Sequence, residues 1–502
     1  MERLQKTAPL DPSQGIRGIS LFLLLLLVES FPNSYASENP ANTSTASSAA
    51  LGALQTGDHG TSGNLEVDAV QYLSFPKEDV RSQVRPNLLG HITLEGENKS
   101  VYHSKVDAGG MISPGRFSTG GSGFQKKTSW YAYIPEVYAG ASLSGKGIDH
   151  GFSVYFGRRK QEWSQLDEYW QLGLWQPRFR WDCLSPESQG LTGAFFEYRG
   201  NAVQWTALGT ALFIPEQGPS YDLKDGHFTT ESPCFEAPTS KLEILSQQTE
   251  INYKINMPPI TRILFQPAGA ATLRLGHETG SWMRASYAYK LINQIFVDYD
   301  GYLQINPNQA HVDLTPRVAY HQVATLESGV QGDRVSGWIS VLGEKADKPD
   351  LDWNLTGQEI KDSIAVGPTL SWNWTGSKDE GAPSSDIGYM RVWGGNEIID
   401  GPLASSGSML ESHYAYHDVA TLGFKSRISN NHWHIHTRLR HDFSVEGDWL
   451  STEVRYSASR HFSLGVGGDL LSVGPSGVSN TTTLISRFRG NDRVYGGIRY
   501  AF

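Results

Sequence analysis

The chain ends in the stretch Val494-Tyr495-Gly496-Gly497-Ile498-Arg499-Tyr500-Ala501-Phe502, and this stretch decides the fold class. Successive side chains of a β-strand point to opposite faces, so the even-numbered residues share one face and the odd-numbered residues share the other. The even-numbered face holds apolar and aromatic residues with one glycine, whereas the odd-numbered face carries Arg499. The pattern predicts a final β-strand with one apolar face and one polar face.

The same period of two recurs from about Leu65 to the end of the chain, in segments of roughly ten residues separated by turn residues. Alternation alone also fits a soluble β-sandwich, whose apolar faces form a core. Two features favour a membrane barrel instead. The polar faces carry charges of both signs, as a water-filled lumen does, and Trp and Tyr stand near the ends of the apolar faces. The clearest alternating segments are 283–291, 295–303, 312–320, 370–375 and 450–458.

Turns and composition agree with many short strands. Short turns link neighbouring segments directly, which favours an up-and-down barrel, and they lie at 200–201, 279–280, 446–448 and 490–492. Longer polar connections at 216–239, 344–362 and 377–385 are predicted to be extracellular loops. The 53 glycines and 11% aromatic residues suit strands better than helices.

The net charge of −10 argues against a nucleic-acid partner, because phosphate binding needs a basic surface.

The first residues of the chain have the layout of an export signal. Residues 19–28 form an apolar run of ten residues, too short for a transmembrane helix, which needs about 20. Basic residues precede this run, and the small-residue site Ser34-Tyr35-Ala36 follows it. We therefore expect a signal peptide over residues 1–36. Residues 37–64, rich in Ser, Thr, Ala and Asn, are predicted to form a disordered periplasmic linker that could tether a partner.

The terminal Phe502, with Tyr500 and Ile498 at alternate positions before it, resembles the recognition signal of Gram-negative outer-membrane β-barrel proteins. The resemblance implies that the last strand is recognised by the barrel-assembly machinery and then closes against the first strand. It also implies that outer-membrane lipid surrounds the protein. The fold class is therefore predicted as all-β, a transmembrane antiparallel up-and-down β-barrel of about 16–22 strands over residues 65–502.

One stretch, residues 158–187, packs basic, acidic and aromatic residues close together. A strand that ends in Gly157-Arg158 and is followed by a Trp-containing loop resembles porins whose loop folds into the lumen and sets the constriction. Facing rows of opposite charge there would select polar solutes. A plug or a structural ion-pair cluster is the alternative. The pore-lining or constriction candidates are Arg158, Arg159, Lys160, Asp167, Glu168, Arg178, Arg180 and Asp182.

The two cysteines, Cys183 and Cys234, are predicted to form a disulfide in an oxidising periplasm. This bond would tie the 158–187 stretch to the connection at 216–239. Two cysteines alone are a poor metal site, and we predict no metal and no cofactor.

His432, His434 and His436 share one face of a predicted strand. Three imidazoles in a row could bind a transition metal, but same-face neighbours on a strand lie nearly 7 Å apart, too far for three ligands of one ion without a partner strand. A polar lumen wall is therefore the preferred interpretation. His441-Asp442 lies nearby, but no G-x-S-x-G context or phosphate-binding loop accompanies it, and we expect no enzyme.

Two functional hypotheses follow. The first is a porin-like channel for passive diffusion of small polar solutes. The second is a structural barrel with a blocked lumen, which anchors a larger envelope or surface complex and contacts periplasmic or envelope-complex proteins. The sequence leaves a homo-oligomer open, because lipid-facing and subunit-facing residues have the same composition.

Overall fold

The computed structural model describes residues 59–73, 85–98, 102–112, 130–142, 151–219, 221–229, 232–235, 238, 240–244, 247–277, 279–304, 309–348, 357–376, 382–395, 397–399, 413–428, 432–475, 477 and 483–502. The predicted signal peptide lies outside the described residues. So do residues 37–58 of the predicted linker and parts of the three predicted long loops.

Most of the described residues lie in strands, and three short helices accompany them. In chain order the strands are β1 His59–Tyr72, β2 Arg85–Asn98, β3 Tyr102–Ile112, β4 Trp130–Ser142, β5 Gly151–Arg159, β6 Arg178–Phe179, β7 Glu187–Ser188, β8 Leu191–Arg199, β9 Val203–Thr210, β10 Asp222–Lys224, β11 His227–Thr229, β12 Lys241–Ile244, β13 Gln247–Ile255, β14 Ala268–Gly276, β15 Gly280–Leu291, β16 Phe296–Gln304, β17 Gln309–Arg317, β18 Tyr320–Gln331, β19 Val335–Ala346, β20 Gln358–Ile360, β21 Ser363–Asn373, β22 Ser384–Gly394, β23 Glu397–Ile399, β24 Asp418–Ile428, β25 Trp433–Asp442, β26 Gly447–Ser457, β27 Phe462–Ser472 and β28 Arg493–Ala501. The helices are α1 Gln165–Trp170, α2 Ile260–Leu264 and α3 Leu484–Arg487.

Eighteen of these strands form one closed antiparallel sheet, in which each strand pairs with its neighbours along the barrel. The barrel strands are β1–β5, β8, β9, β14, β15, β18, β19, β21, β22 and β24–β28. The predicted fold class is confirmed, and the number of strands lies within the predicted range. No helix among the described residues is long and apolar enough to span a membrane.

The last strand closes the barrel against the first. β28 pairs with β1 from Asn64 opposite Ala501 to Tyr72 opposite Arg493. Beyond this ladder, Phe502 and Gly63 exchange two backbone hydrogen bonds of 2.9 and 3.0 Å. β1 begins at His59, inside the range predicted as linker, so the predicted barrel boundary at residue 65 was wrong. Residues 59–64 pair with β2 through backbone groups, which need no alternating side chains.

The outer wall of the barrel is apolar and the inner wall is polar. On β15, for example, Met283 faces outward and is 51% exposed, whereas its neighbours Arg284 and Ser286 face inward and are buried. A soluble protein buries its apolar face, so this inverted arrangement matches a barrel surrounded by lipid.

The two ends of the barrel differ in their connections. At the terminal end, where β1 begins and β28 ends, short turns join most of the strands. The opposite end, called here the loop end, carries long connections such as 160–190, 211–267 and 292–319. Outer-membrane barrels have short periplasmic turns and long extracellular loops, so the loop end is the extracellular end. The connection near 377–385 joins β21 to β22 at the terminal end, and its prediction as an extracellular loop was wrong, because strand direction reverses at every hairpin.

Four strands form a separate cap sheet at the loop end, in the order β12-β13-β17-β16. Within it β13 and β17 pair in parallel, although they come from different connections. Two of the segments with clear alternation, 295–303 and 312–320, belong to this sheet and not to the barrel. Their apolar faces meet a protein core, and Val297 is 7% exposed. Alternation reports that one face is apolar, and it does not distinguish lipid from a core.

Candidate functional site in the barrel lumen

The connection between β5 and β8, residues 160–190, folds into the barrel from the loop end and is called here the inserted segment. It contains α1, β6 and β7. The Trp175 indole donates to Thr325 Oγ1 on β18 at 3.0 Å, and the Ser286 hydroxyl on β15 donates to the carbonyl of Trp163 at 2.6 Å. Both partners face the lumen, from strands four and five positions along the wall from β5, so the segment enters the interior and contacts a distant part of the wall.

The inserted segment brings its own apolar core. Trp163, Trp170 and Trp175 are fully buried and pack with small and medium apolar residues that face inward from the wall. The rings of Trp163 and Trp175 stack with centroids 5.7 Å apart. Glycine lets α1 approach the wall closely: a Cβ at Gly367 would lie 2.3 Å from a methyl carbon of Leu166. The segment is therefore packed against the barrel and does not hang loosely in water.

A buried carboxylate on the wall caps α1. Glu327 on β18 accepts hydrogen bonds from the Ser164 hydroxyl at 3.0 Å and from the Gln165 amide at 2.7 Å. Arg284 on β15 lies 2.9 Å from Glu162 and 3.4 Å from Glu327, so the guanidinium joins the segment to the wall. A carboxylate at the first turn of a helix satisfies amides that have no partner within the helix.

The predicted candidates at the start of the segment are held by the end of the segment itself and by neighbouring strands. Arg158 donates to the carbonyl of Gly190 at 3.0 Å and to Gln189 Oε1 at 2.6 Å. Arg159 forms an ion pair of 2.6 Å with Glu197 on β8. The Lys160 amide donates to Glu136 on β4 at 2.8 Å.

Three further candidates, Arg178, Arg180 and Asp182, form ion pairs with buried partners further along the segment. Glu216 binds both Arg178, at 2.6 Å, and Arg180, at 3.1 Å. Asp182 pairs with Arg493 on β28 at 2.9 Å. The residues that bind these candidates and the inserted segment were not identified from the sequence. The only sign of them in the sequence was a charge on the polar face of a strand or in a long connection. They are Glu136, Glu197, Glu216, Arg284, Glu327 and Arg493.

The acidic residues of α1 have strongly shifted pKa values. Burial raises the pKa of Asp167 to about 6, although its carboxylate accepts hydrogen bonds from the amides of Leu174 and Trp175. Burial, with the nearby charge of Glu162, holds the pKa of Glu168 well above its usual range. Burial alone would also raise the pKa of Glu216, but Arg178 and Arg180 outweigh it and hold that pKa below its usual value. The segment therefore holds two acids with raised pKa values, whereas Glu216, which binds the segment from the connection between β9 and β14, has a lowered pKa.

The predicted disulfide is confirmed, since Cys183 and Cys234 are bonded to each other. Cys234 belongs to the connection between β9 and β14. The side chain of Asn491, just before β28, donates to the carbonyl of Pro233 at 3.1 Å. The inserted segment is thus tied to two other loop-end connections.

The loop-end half of the lumen is filled in the part of the chain that the structure describes. Phe179 of the inserted segment stacks on Tyr131 and Tyr133 of β4, with centroids 4.1 and 4.9 Å apart. Inward-facing residues at this end of the other strands are buried as well, among them Tyr72, Met111, Trp449 and Leu471.

The terminal-end half remains accessible along one side of the barrel, a region called here the vestibule. Glu453 on β26 exposes 33% of its side chain there, whereas Glu327, at the terminal-end half of the opposite wall, exposes none. His434 and His436 face this space from β25, while His432 lies in the turn before the strand and bonds to the carbonyl of Ser457. The vestibule is lined by inward residues of β1–β3 and β24–β28, including Glu66, His91, Lys105, His434, His436, Arg438, Glu453, Arg455 and Arg499.

A closed barrel with an apolar exterior, a polar interior, short turns at one end and a segment folded into its lumen is a transmembrane β-barrel of the outer-membrane type. No protein-family model and no curated protein matches the chain.

Among solved structures, the chain is similar to OccK9 (OpdG) of Pseudomonas aeruginosa, with 9% identity, a TM-score of 0.46, and coverage of 89% of this chain and 98% of the other. OccAB3 of Acinetobacter baumannii gives 9% identity, a TM-score of 0.46 and coverage of 89% and 99%. A BenF-like porin of Pseudomonas fluorescens gives 9% identity, a TM-score of 0.46, and coverage of 89% of this chain and 98% of the other. Similarity at this level assigns no function to the chain.

Proposed function

We propose that the protein is an outer-membrane porin-like channel for passive diffusion of small polar solutes, and that the inserted segment sets its constriction. The observation that carries the proposal is the vestibule. Its wall combines partly exposed cations such as Arg455 and Arg499 with partly exposed anions such as Glu66 and Glu453. Partly exposed charges of both signs hold water, and they produce a field across the lumen that favours polar solutes.

The size of the barrel supports the same function. Barrels of 16–18 strands are wide enough for an aqueous channel when nothing fills them. Here the inserted segment occupies the loop-end half, so passage requires the segment to shift. We assign the eight predicted charged candidates to holding this segment, and we assign the solute path to the vestibule residues.

A second candidate is a structural barrel that anchors a larger envelope or surface complex. The observation that favours it is the buried apolar core of the inserted segment, because three fully buried tryptophans resist displacement. The cap sheet at the loop end would then provide the surface for a partner. A homo-oligomer is compatible with either function.

Planar bilayer recording of the purified full-length protein decides between the two functions. A channel gives stepwise conductance whose ion selectivity changes when Arg455 and Arg499 are replaced by Gln. The exposed pair His441–Asp448, which lies outside the vestibule, provides the control variant Asp448→Asn. A wild-type protein that stays silent across the pH range in which it remains folded supports the anchor and contradicts the channel.

A further inference from the structure

A short segment outside the barrel wall exposes several large apolar side chains. Residues 256–267 connect β13 of the cap sheet to β14 of the barrel, and they include α2. Three large apolar side chains of this segment are exposed: Met257 at 57%, Ile260 at 50% and Phe265 at 62%. Ile263 points the other way and is buried. Several exposed apolar side chains of this size within nine residues mark a surface that another molecule covers.

The segment is held at the rim of the lipid-facing wall. The Leu264 carbonyl accepts a hydrogen bond of 2.7 Å from the amide of Phe213, which follows β9. The Tyr320 hydroxyl donates to Gln266 Oε1 at 3.2 Å and to the Pro267 carbonyl at 3.0 Å. The ring of Tyr320 stacks on that of Tyr289, with centroids 5.0 Å apart.

These two tyrosines mark the level of the membrane interface. Tyr289 faces outward from β15 and is exposed, and it lies opposite Gly269 near the start of β14. Exposed tyrosines near the ends of lipid-facing strands form the aromatic girdle of a membrane barrel. Phe265 lies three residues before β14 begins, so it is next to the lipid-facing surface and just beyond the girdle at the loop end.

We propose that residues 257–265 form an interfacial anchor, which places Met257, Ile260 and Phe265 at the boundary between head groups and acyl chains of the outer leaflet. Arg262 is exposed on the same short helix. A cation among apolar side chains suits this depth, where the apolar groups contact acyl chains and the guanidinium meets lipid phosphates. Continuity with the lipid-facing wall selects lipid as the partner of this surface.

The test uses a single thiol-reactive fluorescent label in the full-length protein in vesicles. The native cysteines are bonded to each other and do not react, so Phe265→Cys introduces the only free thiol. Tyr302→Cys, on the cap sheet, is the control above the membrane, and Leu273→Cys, on the outer face of β14, is the control within it. Fluorescence is recorded with lipids that carry a nitroxide quencher near the head group, and separately with a water-soluble quencher.

We expect nitroxide lipid to quench the label at residue 265 at least about twofold more than the label at residue 302, approaching the value at residue 273. Stronger quenching at residue 265 by the soluble quencher than by lipid would overturn the proposal. Protection from both quenchers would also overturn it, because a protein partner or a second copy would then cover the surface. Anomalous migration of unheated protein in SDS gels confirms that each variant is folded.

Discussion

At the scale of single residues, Glu327 joins the inserted segment to two strands of the barrel wall. It lies on the barrel wall, yet its Oε1 accepts hydrogen bonds from the start of α1 and from the Ser340 hydroxyl at 3.1 Å. Its other oxygen faces Arg284. One buried carboxylate thus caps a helix, binds a neighbouring strand and balances a buried cation.

Replacing Glu327 by Gln is expected to weaken the hold of the wall on the inserted segment by about 2 kcal/mol, because hydrogen bonds to a charged group become neutral ones. The barrel ladder does not depend on this side chain. We therefore expect faster proteolysis within residues 160–190 and more frequent conductance steps, with unchanged migration of unheated protein. The exposed pair in the control variant Asp448→Asn contributes little. Equal protease resistance of E327Q and wild type would contradict this role.

The charged candidates show how far sequence reasoning reached at this scale. The density of charge in residues 158–187 indicated the region that folds into the lumen. It did not indicate the partners, since Glu197, Glu216 and Arg493 are distant in sequence. Opposite charges attract without regard to sequence separation, so only the closed barrel determines which ones meet.

At the scale of elements, the inserted segment responds to pH through its acids. When inserted, Asp167 has a pKa of about 6, against an ordinary value of 3.8 in water. The inserted form therefore binds the proton more tightly, so this contribution to insertion is complete below the ordinary pKa and is lost as the pH rises through 6. Glu168 acts in the same direction. Glu216, with a lowered pKa, acts in the opposite direction, but only below its ordinary range.

We expect acidification from about pH 8 to about pH 5 to favour the inserted form roughly tenfold through Asp167, and so to reduce the open fraction of the channel. Bilayer recording across this range measures the effect. The matched variant Asp167→Asn removes the titrating group while keeping its size, and it should show a smaller pH dependence. A rise in conductance on acidification would contradict the sign of the prediction.

The disulfide also holds the inserted segment in place. Cys183 and Cys234 close a loop with a sequence separation of 51 residues between the inserted segment and the next long connection. A bond of this kind stabilises by about 2–4 kcal/mol. In the double variant Cys183→Ser/Cys234→Ser, we expect more frequent opening and an intact barrel.

Reductant provides the internal control for this prediction. Wild type treated with reductant should behave like the double variant, and reductant should not change the variant further. A double variant that loses the anomalous migration of unheated protein would show instead that the bond is needed for barrel formation.

At the scale of the whole molecule, the seam between β1 and β28 determines whether the barrel closes. Phe502 contributes two backbone hydrogen bonds to Gly63, and its ring covers Gly63 so closely that a Cβ there would lie 2.5 Å from it. Its side chain also faces lipid together with Tyr500 and Ile498.

Deletion of Phe502 should lower the yield of folded barrel by roughly half or more, because the seam loses its last two backbone bonds and its terminal aromatic. The measurement is the fraction of membrane protein that migrates anomalously when unheated. Phe156→Ala removes another lipid-facing aromatic, far from the seam on β5, and serves as control. Equal yields for the deletion and wild type would contradict a role of Phe502 in barrel closure. Recognition by the barrel-assembly machinery stays a prediction.

Alternation and the last strand determined the class of this protein by themselves, because lipid outside and polar groups inside impose a period of two on every barrel strand. Local sequence also placed the disulfide partners and the turns near 200–201, 279–280 and 446–448, whereas residues 490–492 are the end of a longer connection between β27 and β28. Tertiary structure alone decided that 295–303 and 312–320 belong to a cap sheet, that the inserted segment has a buried apolar core, and that the accessible charges lie on β1–β3 and β24–β28. The physical reason is that the alternation of side chains along a strand shows which face is apolar and which is polar. Only the closed barrel determines which distant residues pack against each face.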